Sequence, residues 1–417
     1  MSKYHITFLE LSANNAPVKA EIEHIFNLLA KWCGDKPCVD LEISDVYSPA
    51  GDADQCSEPD HRFSLLNLVN KGSSLPPLPC VRSFVIRHGS STPWHPAAVA
   101  ALTSRMTRAE RVEWQLGWNE ARLWGRYYAM DLQWREALVR AVLEEEPSDA
   151  TTAIAAPSVT DFGCAVMSPQ AGENESLPDL LRASGGRDLV GQAVQRLSRG
   201  CERLDYEGPV HASFFDPAQA APGAWERLRV MNIKLDMRGP HGRWYFGFGG
   251  GAHDSDGPLA EISIQMPPGY GATEQELEDA LVFYEDHMGQ DQDDDDGDVR
   301  PPRDTPAGAE LNPLLASFAR ACARLPSLEV ASLEAEYRND ENWPFVLTVA
   351  APGKILGGDW GERFARGDGT WRWYLHAEGQ WRPDRETMEV LESFGRDAAH
   401  RAGTDETVVA FLPWGTF

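Results

Sequence analysis

The sequence has no long apolar run, no cluster of cysteines and no excess of basic residues. Its N-terminal stretch 1–10 mixes polar and apolar side chains, whereas a secretory signal peptide needs roughly 7–15 consecutive apolar residues. No stretch approaches the roughly 18 apolar residues of a membrane-spanning helix. The sequence therefore predicts neither secretion through a leader peptide nor insertion into a membrane.

Basic residues are outnumbered by acidic ones, and the formal net charge is −26 at pH 7. Negative charge repels the phosphates of nucleic acids and the anionic headgroups of membrane surfaces. The charge therefore predicts no nucleic-acid partner and no membrane partner. It increases solubility and is compatible with a protein partner.

The cysteines are odd in number and scattered through the chain. There are seven: Cys33, Cys38, Cys56, Cys80, Cys164, Cys201 and Cys322. A long chain without a signal peptide keeps such residues as reduced thiols, which predicts a cytosolic or nuclear protein. The spacing that zinc sites use is missing, since no CxxC pair and no HExxH segment occurs. No metal is predicted.

Two motifs resemble cofactor sites without meeting their requirements. The segment GFGGGA at 247–252 matches a dinucleotide fingerprint, but the following HDSDGP cannot begin the helix that holds a pyrophosphate. The acidic run at 291–298 resembles a calcium loop. With Gly297 in the sixth position, the first and twelfth positions hold Gln292 and Arg303, which are not the required ligands. The sequence predicts no cofactor, no metal and no catalytic motif.

The chain does contain amphipathic helices that alternate with short strands. Apolar residues make up 42% of the sequence, which is enough for a hydrophobic core. The clearest helix covers 311–325, followed by a strand from Ser327 to Tyr337. Its three- and four-residue spacing predicts that one set of side chains faces the core and the opposite set faces water. The inward set is Leu314, Leu315, Phe318 and Cys322, and the outward set is Ser317, Arg320 and Arg324.

Repetition of this unit predicts an α/β fold. Helix–strand units in series form either a leucine-rich-repeat-like arc or an open curved sheet. We predict a repeat region at 1–143, a polar connection or insertion at 144–178, and a second α/β repeat region at 179–417. The second region contains an acidic insertion, predicted to be disordered, at 289–310.

Several of these units resemble one family. The helix–LPSLE–strand unit at 311–337 is similar to the divergent leucine-rich regions of large fungal F-box proteins. So are the segments at 25–49, 197–210, 214–246 and 408–414. The resemblance implies a non-catalytic protein-recognition module of the kind that binds substrates for a ubiquitin ligase. It carries over no functional residue, because the recognition surface of the family has no fixed motif.

The F-box itself is not recognisable in this sequence. The stretch AEIEHIFNLLAKWC resembles its beginning, but Gly34 and a strand follow at once. An F-box docks the adaptor of a ubiquitin ligase through further helices. We therefore expect this chain to bind that adaptor only if an F-box is encoded upstream of it.

Arginine-flanked tryptophans are the remaining candidate for partner binding. Trp371, Arg372, Trp373 and Trp381 lie close together in sequence, and Trp343 precedes another strand. Aromatic residues with arginine are common at protein interfaces. Alternatively, Trp371 and Trp373 pack on one face of a sheet while Arg372 faces water.

Two functions stay open after the sequence analysis. The first is the protein-recognition module that the family resemblance implies. The second is an enzyme of unknown reaction whose site is assembled from residues distant in sequence, since catalytic groups meet in space rather than along the chain. A pocket with convergent titratable groups would favour the enzyme.

Overall fold

A computed structural model describes most of the predicted helix–strand units. The described residues are 4–7, 15–32, 36–44, 68, 74–87, 94–117, 128–144, 158–167, 179–181, 184–216, 225–248, 303–335, 345–351, 354, 371–377, 381–402 and 407–411. None of the helices within these ranges is long and apolar enough to cross a membrane.

The described chain contains six α-helices and thirteen strands. The helices are α1 Asn15–Trp32, α2 Pro96–Ser104, α3 Tyr128–Val139, α4 Leu189–Leu197, α5 Gly308–Arg324 and α6 Arg385–Ala402. The strands are β1 Tyr4–Thr7, β2 Val39–Ile43, β3 Val81–Ile86, β4 Arg111–Gly117, β5 Asp161–Met167, β6 Arg203–Gly208, β7 Val230–Leu235, β8 Phe246–Phe248, β9 Arg303–Pro306, β10 Val330–Ala335, β11 Phe345–Ala350, β12 Trp371–Ala377 and β13 Thr407–Phe411. A π-helical turn Arg140–Glu144 follows α3, and a 3₁₀ turn Ala212–Phe215 follows β6.

The chain divides into two compact units. Unit 1 comprises Met1–Ser158, Met167–Pro178 and Leu259–Pro302, and unit 2 comprises Val159–Val166, Asp179–Pro258 and Arg303–Phe417. In unit 1, strands β1, β2, β3 and β4 pair in chain order, and each pair is parallel. A parallel pair requires a crossover between its strands, and α1 and α2 lie in two of these connections.

Unit 2 contains a larger, mixed sheet. Strands β5, β6, β7 and β10 pair in parallel, β11 runs antiparallel to β10 and β12, and β13 pairs in parallel with β12. Strands β8 and β9 form a separate antiparallel pair. Both units are therefore α/β with open, mostly parallel sheets, which confirms the predicted fold class at this level.

The core of unit 2 lies on one face of its sheet, which we call the inner face. One rung of fully buried side chains crosses five neighbouring strands in register: Leu204, Met231, Ala331, Val349 and Trp373. Each buries apolar area worth about 25 cal/mol per Å² of surface removed from water. Strand alternation sends the next residue of each strand to the opposite face.

Helix α5 supplies part of this core. The predicted inward residues Leu314, Leu315, Phe318 and Cys322 are all buried. On the other side of the helix Arg320 and Arg324 are exposed and Ser317 is half-buried. The periodicity therefore predicted the orientation of this helix correctly.

Three strands lie where the sequence analysis assigned none, and the first of them is β1. Strand β5 lies inside the stretch 144–178, and it alternates small residues with buried Phe162, Cys164 and Val166. Strand β9 and the start of α5 lie inside 303–310, so the predicted end of the acidic insertion is too late. The acidic run itself lies outside the described residues. Each of these strands is stabilised by a partner strand, which is information that the local sequence does not contain.

Candidate functional site

The tryptophans that the sequence analysis selected do not share one surface. Trp373 is fully buried, and its ring lies 6.2 Å from that of Phe318 on α5, measured between centroids. Trp371 and Arg372 are half-buried on β12. Trp381 is also half-buried, and Trp343 lies outside the described residues.

Trp373 therefore has no exposed side-chain area with which to contact a partner. Its position agrees with the alternative in which a tryptophan packs on the inner face of a sheet. For Trp371, Arg372 and Trp381, partner binding stays a prediction.

A second candidate is the outer face of the sheet in unit 2. On β6 and β7, half-buried or exposed polar side chains lie in register, and we call this set the β6–β7 face. Its members are Arg203, Asp205, Glu207, Asn232 and Lys234. On β10 and β11 the residues in register with Asn232 are buried instead, since Ser332 and Thr348 are only 4% and 6% exposed.

Hydrogen bonds fix the side chains of this face. Arg203 donates from Nε to Asp205 Oδ2 at 2.6 Å, and Asn232 Nδ2 donates to the other oxygen of Asp205 at 2.7 Å. Ser332 Oγ donates to Asn232 Oδ1 at 3.3 Å. The result is a row of paired donors and acceptors that is fixed without a ligand, which suits recognition of a polar partner surface.

Unit 1 presents a similar outer face on β2, β3 and β4. Arg82 Nη2 lies 2.7 Å from Asp40 Oδ2, and Arg87 Nε lies 2.8 Å from Glu42 Oε1. Arg87 also reaches Glu113, with 3.6 Å between Nη1 and Oε1. Each unit therefore exposes a face of paired charges, although the chain as a whole is strongly acidic.

A third candidate lies past the carboxyl ends of β6 and β7. This is the edge at which parallel α/β sheets commonly bind ligands. His211 follows β6, and His241 lies in the turn that follows β7. Their ring centroids are 5.6 Å apart.

His241 is fixed by a carboxylate and by a glycine. Its Nε2 lies 3.0 Å from Oε2 of Glu310, which is in the first turn of α5. A Cβ atom at Gly239 would lie 2.2 Å from Nδ1 of His241, so the ring requires glycine at that position. Glu310 uses its second oxygen to accept from Arg243 Nη1 at 2.7 Å. The group connects the β7 turn to α5.

His211 is fixed by the 3₁₀ turn that it begins. Its Nδ1 accepts from the backbone N–H of Ser213 at 3.2 Å and lies 2.8 Å from the hydroxyl of Ser213. Burial lowers the pKa of His211 below its ordinary value, and His241 lowers it further, against the opposing effect of Asp179 and Glu310. The ring is therefore neutral at pH 7, and its Nδ1 is an acceptor.

A buried tyrosine packs against this cluster, with its ring centroid 5.7 Å from that of His241. Tyr245 is 1% exposed, and its hydroxyl donates to the backbone oxygen of Val210. Burial raises the pKa of Tyr245 well above its ordinary value, so it acts only as a neutral donor. Among the described residues, no group of three or more histidine, cysteine, aspartate or glutamate side chains is arranged to hold a metal ion.

Sequence reasoning missed this cluster because its members are far apart in the chain. The pair His241 and Glu310 is separated by 69 positions. The available signals were local ones: a histidine two residues before a serine after a predicted strand, and the segment GPHG at 239–242 after another. Only the topology of the sheet shows that these segments meet.

Comparisons with known proteins add no family assignment. No family model, no curated protein and no solved structure matches this chain.

Proposed function

We propose that this chain is a protein-recognition module of the leucine-rich-repeat-like type. It resembles the substrate-binding region of a fungal F-box protein. The observation that carries the proposal is the strand order: within each unit, neighbouring parallel strands follow one another in chain order. Crossovers of one hand between such strands all return on the same face, which leaves the other face open where no other segment covers it, as on β6 and β7.

The β6–β7 face supports this proposal through its side chains. In repeat proteins of this architecture, partner proteins bind an extended surface built from successive units. A face of paired charges binds through hydrogen bonds and electrostatic complementarity, which provide specificity more than raw affinity. Glu207 is the exposed member of the face and lies between Ala165 and Lys234 on the neighbouring strands.

Charge reversal on two surfaces tests the proposal. The full chain, Glu207→Arg and Arg320→Glu are immobilised, and proteins captured from a fungal lysate are quantified by mass spectrometry. Arg320 is an exposed residue on the outer side of α5, so it is the matched control. We expect at least one protein whose capture falls about tenfold with Glu207→Arg and is unchanged with Arg320→Glu, a difference of about 1.4 kcal/mol in binding.

Both variants must unfold at the temperature of the unmodified chain, which excludes loss of the fold as the cause. The recognition proposal is wrong if the unmodified chain enriches nothing over blank resin. It is equally wrong if Arg320→Glu abolishes capture while Glu207→Arg does not.

A further inference from the structure

Two histidines of this protein begin a helical segment in the same way, and among the described residues only His211 has a hydroxyl group beside its ring. His95 precedes α2, and its Nδ1 accepts from the N–H of Ala97 at 3.2 Å. His211 makes the same bond to the N–H of Ser213, also at 3.2 Å. The capping bond therefore forms even when the residue two positions after the histidine is alanine. The hydroxyl of Ser213 is not required for the cap.

The hydroxyl is placed to transfer a proton. Because Nδ1 of His211 accepts the backbone N–H of Ser213, its lone pair lies on the serine side of the ring. The Ser213 Oγ atom lies 2.8 Å from this nitrogen, within the range expected for a nucleophile and its base. Both residues are half-buried, so part of each is open to solvent.

We propose that Ser213 is a nucleophile and His211 its general base, forming a hydrolytic site for small acyl esters past the carboxyl end of β6. This activity is separate from protein recognition by the β6–β7 face. In the first step, Ser213 Oγ bonds to the ester carbonyl carbon and its proton passes to Nδ1 of His211. The bond from that carbon to the alcohol oxygen then breaks, and the alcohol takes the proton from His211. Water, deprotonated by His211, cleaves the acyl-serine in the same way and releases a carboxylic acid.

The surroundings of His211 fit this role. Before the reaction the base must be neutral, and burial together with His241 favours the neutral ring. During the reaction it becomes an imidazolium, and the carboxylates of Asp179 and Glu310 favour that charged form. Glu310 is itself fixed by His241 and Arg243. These three are positioning residues, since none of them contacts Ser213 Oγ in the described structure.

A fluorophosphonate probe tests the site on the full chain. The serine oxygen bonds to phosphorus, the phosphorus–fluorine bond breaks, fluoride leaves and the proton passes to His211. We expect mass spectrometry to find the label on Ser213. Labelling should be at least 100-fold faster than in His211→Asn, because general-base catalysis typically contributes 10²- to 10⁴-fold. Asparagine is a preferred capping residue, so this variant keeps the turn.

Three further measurements separate catalysis from a structural role. Ser213→Ala should fold normally, as the cap at Ala97 indicates, and should lose both the label and the hydrolysis of p-nitrophenyl acetate. The labelling rate of the unmodified chain should fall as His211 takes a proton, at a pH lower than the ordinary histidine pKa of about 6.5, because burial lowers the pKa of His211. A label on Ser213 that is no faster than in the denatured chain, or that is equally fast in His211→Asn, would show that His211 is only a cap.

Discussion

The two faces of the sheet in unit 2 are formed by alternate residues of the same strands, but they differ in what they contact. On β7, Ile233 is fully buried on the inner face, while its neighbour Asn232 is half-buried on the outer face and bonds to Asp205. The inner face stabilises the fold by removing apolar area from water. The outer face is fixed by hydrogen bonds that exchange for bonds to water on unfolding, so it contributes less to stability. That difference is why we place the proposed partner binding on the outer face.

The two ends of the strands differ in a comparable way. At the amino ends of β7 and β10, Arg229 lies 2.6 Å from Glu329, which also lies 2.8 Å from Lys354. These are ordinary ion pairs at the surface. At the carboxyl ends, His211 and His241 are brought together with Glu310 and with the hydroxyl of Ser213. Two histidines, a carboxylate and a hydroxyl group therefore lie together at one end, which is the end where we place the chemistry.

The largest expected effect comes from truncating a buried side chain through which α5 packs on the inner face. Phe318 is fully buried, and its ring centroid lies 5.3 Å from that of Phe215 and 6.2 Å from that of Trp373. Phe318→Ala should leave a cavity that lowers the free energy of unfolding by about 3–5 kcal/mol. Arg320→Ala, on the exposed side of the same helix, should change it by less than about 0.5 kcal/mol. Urea titrations that show two equally mild changes would mean that α5 does not pack on the sheet.

Helix α5 also shows how much the sequence can predict. Its apolar residues recur at helical spacing, so its inward face follows from the sequence alone, although the helix begins at Gly308 and not at the predicted Leu311. Strand β5 was missed because Gly163 and Ala165 give its outer positions no polar signal. The site was missed for another reason: His211 and Glu310 become neighbours only through the order of the strands, which local patterns do not encode.

A smaller effect is expected on the outer face. Asn232→Ala removes the bond to Asp205 and the acceptor for Ser332 Oγ. Because part of this row is open to water, which replaces the lost bonds, the free energy of unfolding should fall by about 0.5–1.5 kcal/mol. Ile233→Ala, one position along the same strand, should cost about 2–5 kcal/mol. A reversed order in thermal or urea unfolding would show that the outer face, rather than the inner one, holds the sheet together.

The smallest expected effect concerns the capping histidines His95 and His211, and it appears only at acidic pH. Burial lowers the pKa of His95, and burial together with His241 lowers that of His211. In the unfolded chain a histidine takes a proton near pH 6.5. Below that pH the unfolded state binds more protons than the folded state. The free energy of unfolding therefore decreases as the pH falls.

His211→Asn should therefore unfold with the same free energy as the unmodified chain at pH 8, where both side chains are neutral and both cap the turn. Between pH 6.5 and 5 the variant should lose less stability than the unmodified chain, as measured by urea titration at each pH. His95→Asn is the matched control, because His95 caps α2 without a neighbouring histidine or hydroxyl group in contact with its ring among the described residues. If the two variants had no effect on the acid profile, carboxylates elsewhere in the chain would control it. If His211→Asn made the profile steeper, protonation of His211 would stabilise the fold through Asp179 and Glu310. In that case the ring would be charged when a substrate arrives, and His211 could not act as the base for Ser213.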